Sequence, residues 1–425
     1  MTPQLALAVD VGGTKIEAAL VRADGTLVDG SRHRRPTGAA LTPEGFAAAV
    51  DGCVGEALAA AGGGSGSGSG SVIGAGIGSA GPVDLAEGRI RPKNLPLLHG
   101  FALRAAVERL LPGRPVALRL DGTCIALAEH WVGANRGADS SVSLVVSTGV
   151  GGGIVLAGRA LAGRSGNAGH IGQIHVGDAD PAEGSDGTLE SIASGPGSVA
   201  WAVRRGFAGS TGEELGRAAA AGDPVALAAV ARSAAAVGTA IADVATLLDV
   251  RDFAVGGGFS GVTPGYLDLV RAAACERAVF DYASSLSIRH YGLGGAGPLV
   301  GAAALVHLSA GPVGLLHADR VAGSAGVSRS THAEPGLDTP AAGGLLDQHE
   351  VVAAELRDAH GAVPAVLHDA HAGALHADRV AGCAGVSRST RAEPGLDTPA
   401  AGGLLDQHGH QAGASTSTPH HPRTP

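Results

Sequence analysis

The chain has 425 residues, of which 45% are hydrophobic, and it carries a formal net charge of -9 at pH 7. These apolar side chains suffice for a large core, and roughly 300 residues of patterned sequence suit two lobes with a cleft between them. The negative charge offers no attraction for nucleic acid. We find no signal peptide and expect no membrane-spanning segment, so the sequence predicts a cytoplasmic protein that binds small molecules.

The start of the chain combines a strand with a glycine turn. A strand-like apolar run at residues 5–9 leads into Asp10-Val11-Gly12-Gly13-Thr14-Lys15. Two glycines after a buried strand let the backbone turn tightly and approach a ligand closely, because they lack a Cβ atom. The Asp10 carboxylate could then reach a hydrated magnesium ion, while the Thr14 hydroxyl and nearby amides face phosphate. A Gly-Gly hairpin turn without any ligand explains the same residues.

A second glycine cluster repeats this pattern. The apolar run at 143–147 leads into Thr148-Gly149-Val150-Gly151-Gly152-Gly153, and a further strand follows at 154–156. Two such turns that face each other could hold a triphosphate from both sides. The sequence has no Walker-type P-loop, so a phosphate site built this way belongs to a different fold.

Asp121 is the candidate for the reacting group. It follows the apolar run at 116–120 and precedes a helix-like run at 122–129. A carboxylate at such a strand-to-helix junction is rigidly held and can accept the proton of a substrate hydroxyl that attacks phosphorus. The alternative is an ordinary helix N-cap, which is a common position for aspartate.

Several ordered motifs together resemble the family named for repressors, open reading frames and kinases (ROK). They are DVGGTK at 10–15, GIGSAGPVD at 76–84, LDGTCIALAE at 120–129, STGVGGGIV at 147–155, GRSGNAGHIGQ at 163–173, AVGGGFSGV at 254–262 and LGGAGPLVGAAAL at 293–305. The resemblance covers about residues 4–308. It implies an α/β protein with the two-lobed, actin-like ATPase fold of the sugar kinases, glucokinase-like in type and dependent on ATP and Mg²⁺.

The domain division follows from this resemblance. We expect an N-terminal lobe at 1–120, with a flexible Gly/Ser loop at 62–71, and a C-terminal lobe at 121–308 whose last helix is a candidate to return to the N-terminal lobe. Residues 309–425 form a low-complexity tail that we predict to be mostly disordered. A segment of 34 residues occurs twice in this tail, at 316–349 and 375–408, with two differences.

The resemblance also implies roles for individual residues. Asp121 matches the catalytic base, and Asp10 matches the residue that holds Mg²⁺ through water. The positions that match nucleotide-binding and phosphate-binding elements are Asp10, Gly12, Gly13, Thr14, Lys15, Thr148, Gly149, Gly151 and, against the adenosine, Gly256 and Gly257. The positions that match the sugar site are Asn94, Asp121, His170 and Glu190. For Asn94, a plain turn residue before Leu-Pro is an equally good interpretation.

The sequence departs from the family pattern at one sugar-binding position. The family has G-E-I-G-H after the second glycine turn, whereas this chain has Gly169-His170-Ile171-Gly172-Gln173. His170 therefore replaces a carboxylate acceptor with a group that can donate or accept. We expect a changed sugar preference, and the alternative is a site that no longer binds sugar.

A second departure concerns zinc. In the family the histidine of that motif and three cysteines bind a structural zinc ion. The corresponding positions here are Gln173, Pro181, Glu183 and Thr188. Because a four-coordinate structural zinc needs thiolate and imidazole ligands, we predict a zinc-less variant. Packing of a predicted helix at 189–203 would then have to hold this loop.

Two functions remain open from the sequence. The first is ATP-dependent phosphorylation of a hexose or N-acylhexosamine hydroxyl, and the second is a non-catalytic sugar-binding or nucleotide-binding regulatory protein on the same fold. Asp121 favours the enzyme, because a sensor needs no base. The first strand also begins within a few residues of Met1, which leaves no helix-turn-helix domain in front of it and favours a kinase. The expected partners are sugar and ATP, without nucleic acid or membrane, and the family allows a homodimer.

Overall fold

Two five-stranded sheets form the frame of the structure, a computed structural model that describes residues 4–62 and 71–309. Residues 63–70 of the predicted Gly/Ser loop at 62–71 lie outside the described residues. The same holds for the predicted tail at 309–425, apart from residue 309.

The first sheet is built from the N-terminal part of the chain. Its strands are β1 (Gln4–Val11), β2 (Lys15–Arg22), β3 (His33–Pro36), β4 (Ser71–Ser79) and, after the short hairpin of β5 (Val83–Asp84) and β6 (Arg89–Ile90), β7 (Val116–Leu120). The strand order is β3-β2-β1-β4-β7, with β1, β4 and β7 parallel and β2 and β3 antiparallel. Helices α1 (Pro43–Gly62) and α2 (Leu103–Leu110) cover one face.

Side-chain size along β1 decides what packs on each face of this sheet. Successive side chains of a strand point to opposite faces. The larger residues Leu5, Leu7 and Val9 point toward the core beneath α1 and α2. Ala6 and Ala8 point to the other face, where their small side chains allow a helix to approach closely.

The second sheet carries the C-terminal part. Its strands are β8 (Ser141–Val146), β9 (Val150–Leu156), β10 (Arg159–Ala160), β11 (Asp252–Gly256) and β12 (Ser287–His290), in the order β10-β9-β8-β11-β12. The helices of this part are α3 (Asp121–Trp131), α4 (Leu189–Ala193), α5 (Gly195–Val203), α6 (Gly212–Ala220), α7 (Pro224–Leu248), α8 (Tyr266–Arg277), α9 (Asp281–Ser284) and α10 (Gly297–His307). The main C-terminal core lies between this sheet and α4 to α8.

Helices α3 and α10 lie between the two sheets. Helix α3 packs on β8 and β9, helix α10 packs on β1 and β4, and the two helices pack against each other. Glycines bring the backbones together: a Cβ atom on Gly301 would lie 1.7 Å from the Cys124 oxygen, and one on Gly76 would lie 1.7 Å from the Ala302 oxygen. The two sheets are thus joined through helices α3 and α10, whose backbones approach each other and β4 closely at these glycines.

The predicted helix at 189–203 is wrong in one respect, because the chain forms two helices there. Helix α4 ends at Ala193 and α5 begins at Gly195. Ser194 separates them, and its side chain accepts a hydrogen bond from the Gly197 backbone N–H. Pro196 follows in the first turn of α5, a position where proline is tolerated, whereas it would break a continuous helix.

Helix α7 is long and apolar enough, by length and composition alone, to cross a membrane. In this structure it packs against α4, α5, α6 and α8, and more than half of its apolar window is buried. We therefore describe it as the central helix of the C-terminal core.

Candidate active site

The two predicted carboxylates meet at one edge of the N-terminal sheet. Asp10 is near the end of β1, and Asp121 follows the end of β7; both strands run parallel to β4, which lies between them. Burial and, to a lesser degree, the neighbouring Asp121 charge together raise the pKa of Asp10 to about 7. Burial also raises the pKa of Asp121 to about 6, against the hydrogen bond from the Gly122 N–H and the charge of His170.

Asp121 does not act as the N-cap of α3. The N-cap position is Leu120, and no side chain caps this helix end. The Asp121 Oδ1 atom instead accepts a hydrogen bond of 2.7 Å from the N–H of the next residue, Gly122.

The first glycine turn is a true hairpin connection between β1 and β2. The Gly12 N–H donates to the Lys15 oxygen over 2.9 Å, and the Thr37 hydroxyl donates to the Gly12 oxygen over 2.8 Å. Asn94 belongs to a turn and also lies against this hairpin, since a Cβ atom on Gly13 would be 3.3 Å from the Asn94 Cβ. Gly13 therefore leaves the space that Asn94 occupies.

A cationic cluster beside this turn was missed from the sequence. The Glu17 carboxylate is buried and accepts hydrogen bonds from Lys15, Arg32 and Arg34. Burial alone would raise the pKa of Glu17, but the three cationic donors outweigh it and lower that pKa to about 2. One acid among three bases leaves an excess of positive charge next to the turn. The pairing of Glu17 with Arg34 across β2 and β3 was the signal that could have revealed it.

The second glycine turn is shorter than predicted. Residues 147–149 form the turn, and β9 already begins at Val150, so Gly151 and the two glycines after it lie within a strand. The reason is the close approach of α3: a Cβ atom on Gly122 would lie 2.2 Å from the Gly152 oxygen. The glycines of this strand therefore let the start of α3, with Asp121, sit directly against β9.

Glu190 connects three parts of the site. Its Oε2 atom accepts a hydrogen bond of 3.1 Å from the Val150 N–H, beside the second turn. Its Oε1 atom accepts from the Gln173 amide over 3.3 Å and from the Lys93 ammonium over 3.2 Å. Gly149 leaves room for this carboxylate, because a Cβ atom there would be 2.7 Å from Oε2.

His170 faces the segment that follows β4. Its Nδ1 atom is 3.0 Å from the Asn167 backbone oxygen, and since a carbonyl only accepts, Nδ1 carries the proton. The other ring nitrogen, Nε2, would be 3.1 Å from a Cβ atom on Gly81. The Asn167 side chain donates to and accepts from the Val83 backbone at 2.8 Å, which fixes the register of the two segments.

Gly256 and Gly257 lie away from the carboxylates, at the carboxyl end of β11. Gly257 has a φ of +97°, and a Cβ atom on it would be 2.5 Å from the Val146 oxygen. The ring of Tyr291 occupies the space beside Gly256. A cavity of about 850 Å³ opens next to this turn and reaches Thr148; its lining includes Val199, Val203, Phe259 and Val262.

The structure brings several of the predicted residues close together: Asp10 lies near Lys15 and Asp121, Asp121 near His170, Gly13 against Asn94 and Gly149 against Glu190. Thr148 lines the separate cavity that also contacts Gly258, the residue after Gly256 and Gly257. Among the described residues, no group of three or more His, Cys, Asp or Glu side chains is arranged to hold a metal ion.

Comparison with known proteins agrees with this architecture. The sequence profile of the ROK family matches residues 6–309. The N-acetylmannosamine kinase of Escherichia fergusonii is 36% identical over 277 residues, which is 64% of this chain and 90% of that protein.

Two solved structures are similar over almost their whole length. A ROK hexokinase from Thermus thermophilus is 32% identical with a TM-score of 0.59, over 72% of this chain and 98% of that one. A ROK glucokinase from Streptomyces griseus, solved with glucose and AMPPNP, is 30% identical with a TM-score of 0.59, over 71% and 99%. The fold is the two-lobed actin-like ATPase fold of these ROK kinases, as predicted. The chain belongs to the ROK family, as one of its sugar kinases.

Proposed function

We propose that this kinase transfers the γ-phosphoryl group of ATP to a hydroxyl of a hexose or N-acylhexosamine, with Asp121 as the general base. One observation carries the proposal: the partly buried Asp121 carboxylate lies near Asp10, at the end of β1, and the start of α3 that carries it packs against Gly152 in the strand after the second turn. The similarity to an N-acetylmannosamine kinase favours an N-acylhexosamine as the substrate.

Asp121 is suited to take a proton at neutral pH. Its pKa of about 6 means that it is ionised at pH 7 and still basic enough to accept a proton in the transition state. Oδ1 is held by the Gly122 N–H, so Oδ2 would receive the proton from the sugar hydroxyl as the oxygen attacks phosphorus. The glycine contact between α3 and β9 keeps this carboxylate in one place.

The phosphate chain would lie between the two glycine turns. Amides and hydroxyls at Gly12, Gly13, Thr14, Thr148, Gly149 and Gly151 would hold it, with Lys15 nearby. The Asp10 carboxylate and the Thr14 hydroxyl are hard oxygen donors of the type that Mg²⁺ prefers. The raised pKa of Asp10 indicates that a bound cation would stabilise its ionised form. Mg²⁺ held by Asp10 through water would neutralise phosphate charge.

The sugar would lie against the opposite side of Asp121. Asn94, His170 and Glu190 would line this space and would offer an amide, an imidazole and a carboxylate to sugar hydroxyls. Because the His170 Nδ1–H is used by the Asn167 backbone oxygen, Nε2 is the ring nitrogen that would meet a sugar hydroxyl or amide.

The cavity beside Gly256 and Gly257 suits the nucleoside of ATP. Its volume of about 850 Å³ and apolar lining are typical of a small-molecule pocket, and it connects to the second turn at Thr148. Gly256 and Gly257 would let the backbone lie against the adenosine.

We also infer a cytoplasmic enzyme without nucleic-acid or membrane partners, with a homodimer as its expected assembly. The non-catalytic alternative is disfavoured for two reasons. This chain is similar to an N-acetylmannosamine kinase, and a protein that only binds ligands has no need of a base at Asp121.

The test is a coupled assay of ADP release with N-acylhexosamines, free hexosamines and hexoses at saturating MgATP. We expect the highest kcat/KM for an N-acylhexosamine. Asp121→Asn is the inactive control, and Asp223→Asn, at the cap of α7 and outside this cleft, is the active control. No ADP release above the Asp121→Asn background for any sugar would contradict the proposal.

A further inference from the structure

The loop from Gln173 to Glu190 corresponds to the zinc-binding segment of the family. In zinc-binding relatives a metal ion is expected to hold this loop, whose end carries the carboxylate assigned to sugar. The positions that would provide the ligands are Gln173, Pro181, Glu183 and Thr188. Each of the four has a different role in this structure, so the residues present do not fit zinc.

The Gln173 side chain contacts Glu190. Its amide donates a hydrogen bond of 3.3 Å to the Glu190 Oε1 atom. A histidine bound to zinc could not use the same atoms to approach this carboxylate, because a metal-bound nitrogen does not donate. Gln173 therefore connects the first residue of the loop directly to the last.

Thr188 and Pro181 form turns within the loop. The Thr188 hydroxyl donates to the Asp186 carboxylate over 2.6 Å and accepts from the Ser191 N–H over 3.2 Å, which caps the helix that carries Glu190. Pro181 begins a short 3₁₀ turn and has no ligand atom in its side chain. Neither side chain is available to a metal ion.

Glu183 forms a bidentate ion pair with Arg205. Both of its oxygens receive hydrogen bonds of 2.7 Å from the two terminal nitrogens of Arg205. Bidentate pairs of this kind fix orientation as well as distance. The Arg205 guanidinium also lies 3.8 Å from the centre of the Trp201 ring, so Trp201 supports the pair from behind.

The surroundings of this pair are strongly cationic. Arg204 donates to the Glu183 backbone oxygen, and the Arg232 guanidinium lies 5.6 Å from the Trp201 ring on which Arg205 is stacked. Three arginines therefore lie near Glu183, and Glu183 forms its ion pair with one of them, Arg205. Without its charge, Arg204, Arg205 and Arg232 would repel one another beneath the loop.

We propose that Gln173 and the Glu183–Arg205 pair are positioning residues that replace the zinc ion of the family and hold Glu190 toward the sugar. The proposal rests on the proposed function in taking Glu190 as a sugar ligand. The network makes sugar affinity independent of metal and sensitive to ionic strength, because Glu183 and Arg205 are partly exposed to solvent.

Kinetics of four variants test this network. Gln173→Ala should raise the KM for sugar about 3–10-fold, in line with the loss of one hydrogen bond to a charged group, while the KM for ATP stays unchanged. Gln173→Glu, which places a like charge beside Glu190, should raise the sugar KM further. Glu183→Gln should raise it more than Arg205→Gln, because only the first leaves the arginines unbalanced.

Matched controls separate this effect from a general loss of stability. Arg109→Gln removes a comparable surface pair, with Asp51 at 2.7 Å, on helices far from the loop, and it should change neither KM. A chelator should leave the wild-type sugar KM unchanged, whereas 0.5 M NaCl should raise it. Equal sugar KM values for wild type, Gln173→Ala and Glu183→Gln would overturn the proposal, as would one zinc ion per chain by elemental analysis.

Hydrogen exchange gives a readout that does not require activity. The Val176 and Leu189 N–H groups pair within the loop, with the Gly187 and Ile174 oxygens at 3.0 and 2.9 Å. Their exchange should accelerate in Glu183→Gln and in high salt, and it should not respond to chelator. If the wild type lacked kinase activity but exchange behaved in this way, the proposed function would fail while the loop network stood. Exchange that responds only to chelator would reject the network.

Discussion

Asp10 and Asp121 lie close enough to interact electrostatically although β4 separates their strands, β1 and β7. Gly78 of β4 lies between them: a Cβ atom there would be 3.7 Å from the Asp10 Oδ1 atom and 3.1 Å from Cys124 Sγ in the first turns of α3. Proximity to Asp121 raises the pKa of Asp10 beyond the effect of burial. Because two neighbouring carboxylates repel each other when both are ionised, the pair binds a proton or a cation more readily than either would alone.

Asp121→Asn should lower kcat by about two to four orders of magnitude, the usual contribution of a general base. The amide keeps the shape of the side chain but cannot take the proton, so ATP binding should persist. Steady-state kinetics and a nucleotide-binding titration measure the two effects. Turnover near the wild-type level would place the base elsewhere.

The pH profile of kcat/KM for sugar, measured at saturating MgATP, should fall on the acid side with an apparent pKa near 6. The reason is that protonated Asp121, with its pKa raised to about 6 by burial, cannot act as a base. The Asp223→Asn variant should give the same profile as the wild type. A profile that stays flat down to pH 5 would contradict this assignment.

Asp10→Asn should stabilise the free protein at pH 8 more than at pH 5. The folded-state pKa of about 7 lies above the ordinary aspartate value of 3.8, so the folded protein holds a proton that the unfolded chain releases, and stability falls as the pH rises between these values. Asparagine imitates the protonated form and escapes this loss.

The measurement for Asp10→Asn is the difference in Tm from wild type, without nucleotide or Mg²⁺, between pH 5 and pH 8. Asp24→Asn is the control, because hydrogen bonds from Thr26 lower the pKa of Asp24 and its removal should not stabilise. A Tm difference for Asp10→Asn that is constant across this range would show that Asp10 is not a strained carboxylate.

His170→Glu should change the ranking of sugars by kcat/KM while the KM for ATP stays close to the wild-type value. The exchange replaces an imidazole with a carboxylate, and an unpaired buried polar group costs about 1–3 kcal/mol. The same panel of sugars measures it. An unchanged ranking, or a loss of ATP affinity, would remove His170 from the sugar pocket.

Gly301→Ala should destabilise the fold by about 1–3 kcal/mol or more, because the added Cβ atom would lie 1.7 Å from the Cys124 oxygen at the crossing of α10 and α3. Gly55→Ala is the matched control: it is also helical, has nothing within 4 Å of its added Cβ, and should be neutral or stabilising by up to about 1 kcal/mol. Denaturant unfolding compares the two. Equal stability of both variants would contradict the close crossing.

The sequence predicts those features that depend on neighbouring residues. The apolar run at 5–9 lies within β1, and the predicted strand at 116–120 is β7. The break between α4 and α5 was not predicted, since Ser194 and Pro196 signal a new helix start only when the first helix has ended. The length of the second turn was misjudged because Gly152 serves the contact with α3, which is distant in the chain.

Contacts between distant segments were beyond sequence patterns. Nothing in the periodicity pairs Asn167 with the Val83 backbone, or Glu17 with Arg32, because such pairs depend on how sheets and loops meet in three dimensions. The Glu183–Arg205 pair was also missed, since the sequence showed only that zinc ligands were absent.

The packing of α10 on β1 has a consequence for biosynthesis. Ala6 and Ala8 are made among the first residues of the chain, yet the helix that covers them, including Ala302, is made about three hundred residues later. While translation continues, the growing polypeptide therefore exposes one uncovered apolar surface. We expect nascent chains that end before residue 297 to be trapped by chaperones or to aggregate, and native structure to appear only once α10 has left the ribosome.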